Sequence, residues 1–408
     1  MLNYFDGFPK QLRENFKNDL CAGIMAGVLL GGVNNFVLVQ ARRLGATPFE
    51  IAFLTACPFI WLLFSPLWER IWGRQSPYKM VFIFDGLARL SLILLLLNFS
   101  RNWYIFLFTI YYLLSSISAT VYGRAMCLAY TPQVRGTLMG WVRVGLSLAS
   151  VVSLFLAGQL LPLWGVQRYF ACLALFGLAS AWFFRQIKPL NSEEKVIVNP
   201  RSLSIFEILK TDRLYRQYMM ALFVFGISNL MSIPIFTIYQ VDTLKITDGF
   251  ISMVALVTSA SALGFYLIGG RLIDQGTPVK LLINFFALAA LIPVIYLIMG
   301  GQNGFLFLSA IILGMVNAVT DLASLNSVLY FAKEDEKVGS YMAVHMNLLG
   351  LRGTIGPLLI PFLINWLTVR GVFILLMFLY LVAWYLGKQL VKDVNLENQT
   401  KVKVELGG

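Results

Sequence analysis

A single carboxylate stands out in the stretch GMVNAVTDLASLNSV, where Asp321 sits among apolar residues with no basic residue within four positions. Asn317, Asp321 and Ser324 follow one another at i, i+4 and i+7, so on a helix they share one face. An acid in such a place can carry a proton or bind a cation. The alternative is a carboxylate held by a structural arginine, and Arg352, in LLGLRGTIGP, is the obvious partner. Arg352 by itself could instead meet an anionic group of a solute. Asp85 and Arg89 lie four apart, which suits an ion pair along one helix face, and Arg124, in the next apolar run, could join them. His345 is the only histidine. A free histidine side chain titrates near neutrality, so the alternatives here are a proton role or a polar residue facing an aqueous vestibule. No spacing of Cys, His, Asp or Glu reads as a metal site, and the four cysteines read as small apolar filler. There is no nucleophile–base set, no nucleotide-binding loop and no cofactor motif. The chain therefore does not read as an enzyme or as a direct user of ATP, and no cofactor is expected.

The elements that must hold these groups are long and apolar. The chain has 408 residues, 58% hydrophobic and 13% charged, with a mean hydropathy of +0.75. A soluble protein cannot hide that much apolar surface, whereas about 20 apolar residues span a bilayer as a helix. Twelve such runs are expected, near 19–40, 48–67, 79–98, 103–128, 137–161, 167–186, 217–240, 250–270, 280–299, 303–328, 339–365 and 371–390. The runs are continuous rather than alternating, which excludes a membrane β-barrel. Lys10, Arg13 and Lys17 precede a full-length first run, so that run is expected to stay as a helix rather than be cleaved.

Net charge is +12, which raises nucleic acid as a partner, but the placement of the charge argues against it. Of 32 Lys and Arg, 22 fall in the N-terminus, the even-numbered loops and the C-terminus, six in the odd-numbered loops, and four inside the runs. This bias places both termini in the cytoplasm of a multi-pass cell-membrane protein. Anionic lipid headgroups are the partners such a surface would hold.

The chain also repeats. Leu44, Thr47 and Ile51 match Leu244, Thr247 and Ile251, and Gly136 and Met139 match Gly339 and Met342 at nearly the same shift. LWERIWG follows the second run and GRLIDQG the eighth, with Asp274 where the first copy has Glu69. Six runs lie on each side of a polar stretch, 187–216, so both halves start inside and the repeats are parallel. The expected organisation is a six-helix bundle over 1–186, a cytoplasmic linker over 187–216, a second bundle over 217–391 and a cytoplasmic tail over 392–408. Within the linker, SLSIFEILKTDR reads as a surface helix with an apolar stripe through Leu203, Phe206 and Leu209.

Twelve spans, a central loop and the loop SPLWERIWGRQSPYK after span two resemble the major facilitator superfamily. That family's loop pattern resembles G-x-x-x-D-[RK]-x-G-[RK]-[RK]. Here Glu69-Arg70 takes the acidic–basic place, Gly73-Arg74 follows with one extra residue, and Ser65 stands where the first glycine would be. The second copy keeps Gly270, Asp274 and Gly276 but has Gln275 in place of the basic residue. The resemblance implies an all-α integral membrane protein of twelve transmembrane helices in two parallel six-helix repeats. It implies that Glu69 grips the start of span eleven, and Arg124 or Arg135, to hold the cytoplasmic side shut, where the alternative is a solvated loop, and that Asp85 and Arg89 on a peripheral span are a structural or gate-supporting pair rather than a substrate site. It also implies that span ten lines a central cavity.

Other polar residues fall on spans one, four, seven and ten. Gly23, Gly27 and Gly31 read as a close helix contact, followed by Asn34 and Asn35. Asn229 precedes a bend point at Pro234, and Tyr111, Ser115, Ser118 and Tyr122 share a face. The expected function is a monomeric secondary transporter that moves a small amphipathic or anionic solute, with protons as a possible coupling ion, by rocking of its two halves. The alternative is a non-transporting assembly factor or receptor on the same fold.

Overall fold

The computed structural model describes residues 8–72, 75–97, 99–190, 205–274, 278–332 and 335–406, and their regular structure is entirely helical. Apolar sequence and internal backbone hydrogen bonding leave little else for a chain in lipid. Among the described residues nine helices are long and apolar enough to cross a membrane, ten with a bent pair taken as one. The last, Lys337–Leu396, holds two spans, and the 17-residue helix Pro77–Ile93 completes the twelve expected. The protein is a multi-pass membrane protein.

The helices differ from the apolar runs mainly in where they break. Span one runs from Lys10 to Asn34 and resumes as Val37–Arg43. Span two starts at a capping box, in which the Glu50 N–H donates to Thr47 Oγ1 at 3.2 Å and the Thr47 N–H to Glu50 Oε2 at 2.6 Å. It bends by 50° between Pro48–Leu63 and Ser65–Trp72, where Pro66 cannot donate to the preceding turn. Span three ends in a 3-10 turn, Leu94–Leu96. Spans four, five and six are Arg101–Ala129, Pro132–Trp164 and Val166–Arg185. Span seven, Arg213–Ile238, is capped by Asp212, contains Pro234 and unwinds into a π turn at Tyr239–Thr243. Span eight is Asp248–Asp274. Span nine breaks at Ala290 between Pro278–Ala289 and Leu291–Ile298; Pro293, lacking an N–H, cannot bond back to Ala289. Span ten is Phe305–Ala332. Spans eleven and twelve form one stretch, Asp335–Leu406, interrupted at Thr368, where φ is 62°.

The chain divides into two compact units. Met1–Val198 with Lys245–Met253 form one, and Asn199–Leu244 with Val254–Gly408 the other. In the first, Gly23, Gly27 and Gly31 lie against span five. A Cβ on Gly27 or Gly31 would run into the carbonyl oxygens of Leu146 or Ser150, so the backbones of spans one and five touch. The start of span one is tied down by Asn15, whose Nδ2 donates to Lys188 O at 2.7 Å while its Oδ1 accepts the Lys188 N–H at 3.0 Å. In the second unit, Phe225 stacks on Phe286 with centroids 4.1 Å apart, and Phe236 on Tyr296 at 4.2 Å.

The linker positions 191–204, including Leu203, lie outside the described residues. The helix there is the seven-residue Ile205–Thr211. Among its described side chains the buried one is Ile208, which the expected stripe did not include, and Leu209 is half-buried; the side chain of Phe206 lies outside the description.

Candidate functional site

In the second unit, Asn317, Asp321 and Ser324 lie along the middle of span ten in three different surroundings. Asp321 is exposed and accepts a hydrogen bond from the Tyr266 hydroxyl at 2.6 Å. Asn317 is half-buried, and Ser324 is buried, its carbonyl accepting from the Tyr218 hydroxyl at 3.1 Å. A carboxylate in hydrocarbon is costly, so an exposed Asp321 is expected to face water rather than lipid.

Arg352 lies across the bundle from span eleven to span seven. Its Nη1 donates to the Leu222 carbonyl at 2.6 Å. It is 7% exposed, and its Nε has no hydrogen-bond partner. Gly226 makes the approach feasible, since a Cβ there would lie 2.5 Å from Nε and 2.7 Å from Cζ. Asp321 and Arg352 do not pair with each other, and among the described residues Arg352 meets no carboxylate. Two turns away on the same helix, His345 is buried rather than open to water, and its Nδ1 is unpartnered; Ser327 Oγ is a third buried polar atom without a partner. A buried cation without a counter-ion, near unsatisfied polar atoms, is an arrangement that an anionic group would complete. Asn229 is half-buried on span seven, and its Oδ1 is 3.5 Å from the Tyr380 hydroxyl.

The first unit holds its charges differently. Asp85 and Arg89 form an ion pair at 3.1 Å. Arg89 also donates to Ser115 Oγ at 3.1 Å and lies over the Tyr111 ring. Its side chain runs past Gly177 of span six, where a Cβ would collide with it. Arg124 donates to the Gln75 carbonyl at 2.7 Å, at the turn before span three. Tyr122 packs on Phe184 and, with Asp85, borders a cavity of about 150 Å³. The same cavity is lined by Arg143, one of the four basic residues inside the runs, and by Asp19, and the sequence assigns neither a role. Asp19 is 2% exposed and accepts from the Tyr130 hydroxyl at 2.7 Å. The apolar run, 19–40, puts Asp19 at its edge. The helix begins at Lys10, which sets Asp19 about 13 Å inside its start at about 1.5 Å per residue. Asn34 is exposed at the far end of the same helix.

Of the loop residues, Glu69 and Arg70 are exposed and have no ion pair among the described residues. Gly73 and Arg74 lie outside the described residues. Asp274 ends its helix, and its side chain lies outside the description.

A sequence profile of the Major Facilitator Superfamily matches residues 20–351. Among solved structures, the nucleoside transporter NupG, in a mutant form, superposes with a TM-score of 0.72 at 11% identity, covering 92% of this chain and 99% of that one. A bacterial homologue of the human lysosomal transporter Spinster, inward-facing and unoccupied, superposes with a TM-score of 0.71 at 10% identity, covering 95% of this chain and 99% of that one. At such identities the likeness shows a shared fold. No curated protein matches the sequence.

Proposed function

The chain belongs to the Major Facilitator Superfamily, and from that premise we propose that it is a secondary transporter that moves a small anionic or amphipathic solute by alternating access. The observation that carries the reading is Arg352: a guanidinium 7% exposed, meeting no carboxylate among the described residues and with Nε unpartnered. Such a group is expensive to keep in a membrane protein unless something anionic visits it. We assign Arg352 the recognition of the solute's anionic group, with Asn317 and Asn229 as neutral polar contacts in the same unit. Asp321, exposed and hydrogen-bonded to Tyr266, is assigned the proton that couples transport to a pH gradient.

The test is uptake into proteoliposomes. Solutes come from a thermal-shift screen of organic anions, with nucleosides included because of the NupG likeness. Arg352→Gln should weaken binding of the anionic solute by about tenfold to a hundredfold, as the loss of a charged hydrogen bond of about 1.5–3 kcal/mol implies. Arg352→Lys should recover part of it. Asp321→Asn should keep exchange of labelled for unlabelled solute and lose accumulation driven by a pH gradient. Undiminished pH-driven uptake in Asp321→Asn would remove the coupling role. Solute binding without any uptake by the wild type would move the protein to the non-transporting class.

A further inference from the structure

Spans nine and twelve enclose, at one end, a cleft of about 340 Å³. Three lysines, Lys280, Lys388 and Lys392, and two amides, Asn284 and Asn395, line it. The spacing explains why they converge. Lys388, Lys392 and Asn395 stand at i, i+4 and i+7 on span twelve and its extension, and Lys280 and Asn284 at i and i+4 on span nine. Gly387 brings the helices together just above the cleft, since a Cβ there would run into the side chain of Ile283.

The charge in the cleft is one-sided. Among the described residues none of the three lysines has an ion pair. Asp393, the acid nearest in sequence, is engaged by Arg213 at 2.9 Å and by Gln217 at 3.0 Å. Lysines that serve only to orient a membrane protein need not gather in one concavity, where they repel one another. Here they gather beside two amide groups and an apolar wall of Ile283, Val391 and Leu396.

The level of the cleft is also set. Trp384 and Tyr385 lie within a turn before Lys388, and Lys388 Nζ sits 4.3 Å from the Trp384 ring centroid. Aromatic residues at a span end mark the headgroup layer. Pro278 starts span nine beside the same cleft. The volume is near the lower end of the about 300–1,000 Å³ of ligand clefts.

We propose that this cleft binds a phosphate group, carried by the headgroup of an anionic phospholipid. The lysines hold the phosphate charge, the Asn284 and Asn395 amides donate hydrogen bonds, and the apolar wall receives the start of an acyl chain. The proposal does not depend on the identity of the transported solute.

Native mass spectrometry of the full chain in detergent, titrated with phosphatidylglycerol, reads the binding directly. One retained phosphatidylglycerol is expected, with phosphatidylcholine retained much more weakly. Each Lys→Gln change should weaken binding about fivefold, and the triple Lys280→Gln, Lys388→Gln, Lys392→Gln variant on the order of a hundredfold. The triple Lys→Arg variant should keep binding and shows that any loss follows charge rather than misfolding. A control triple, Lys10→Gln, Lys17→Gln, Lys210→Gln, should bind as the wild type does; an equal loss there would overturn the site in favour of general surface charge. Inorganic phosphate should compete with the lipid at the cleft. If inorganic phosphate binds in a lysine-dependent way and the lipid does not, the lipid source is wrong. If neither binds, the phosphate site is wrong.

Discussion

Arg89 and Arg352 are two buried arginines, each 7% exposed, held in opposite ways. Arg89 has Asp85 at 3.1 Å, with 21% of the acid's side chain exposed. Removing the acid strands a buried cation, so Asp85→Asn should destabilise the protein by about 3 kcal/mol, toward the low end for a buried pair because Asp85 is partly solvated. The double variant Asp85→Asn, Arg89→Gln should recover part of that loss. Arg352 has no carboxylate to strand, so Arg352→Gln should change stability by no more than about 1 kcal/mol, because the loss of its charged bond to Leu222 is offset by relief of the cost of burying an unpaired guanidinium. Thermal or denaturant unfolding of the four proteins in detergent checks the contrast. A loss for Arg352→Gln as large as that for Asp85→Asn would mean that Arg352 is a structural residue. The pairing of Asp85 with Arg89 could be read from a spacing of four, because both residues belong to one helix. The solitude of Arg352 could not, because it depends on where span ten's acid points. Gly226 was invisible for the same reason: its need arises from a side chain that arrives from another helix.

At the scale of the helix, apolar runs disclose number and approximate place but not continuity. The 50° bend in span two and the break in span nine both follow from proline, and Pro66 and Pro293 are visible in the sequence. The break at Thr368, with its positive φ, carries no proline, but it falls in the gap between the runs 339–365 and 371–390. The glycine stripe of span one was legible as a close contact, whereas its partner, span five, came only with the structure. That contact makes a graded prediction. Gly27→Ala drives a Cβ into the Leu146 carbonyl, and backbone cannot move aside as a side chain can, so a loss of about 1–3 kcal/mol is expected. Gly140, on span five, has nothing within 4 Å of its Cβ position. Gly140→Ala should be neutral or stabilising by up to about 1 kcal/mol, the gain in helix propensity. Melting temperatures of the two single variants decide the matter, and equal behaviour would show that spans one and five are not in backbone contact.

Over the whole chain, the repeat and the count of spans were legible, since hydropathy and weak internal matches survive without any knowledge of packing. The grouping of Lys245–Met253 with the first unit was not. It rests on contacts such as Arg43 with Asp248 at 2.6 Å and Ser252 Oγ with the Leu154 carbonyl at 2.7 Å, which link residues far apart in sequence. Twelve crossings are an even number, so both ends must lie on one side of the membrane, and the side is a question of charge. The 22 Lys and Arg on the loops that share a side with the termini, against six on the others, lead us to propose that this side is the cytoplasm. The bias is spread over the chain rather than confined to its start: Lys10, Arg13 and Lys17 are only three of the 22. Neutralising those three should therefore leave the orientation unchanged. Reporters inserted within 191–204 and fused after Gly408 should both read cytoplasm, in the wild type and in the Lys10→Gln, Arg13→Gln, Lys17→Gln variant. Signals on opposite sides would require an odd number of crossings in the second half and would break the parallel repeat. Signals at both sites from outside the cytoplasm would mean that charge does not set the orientation of this chain.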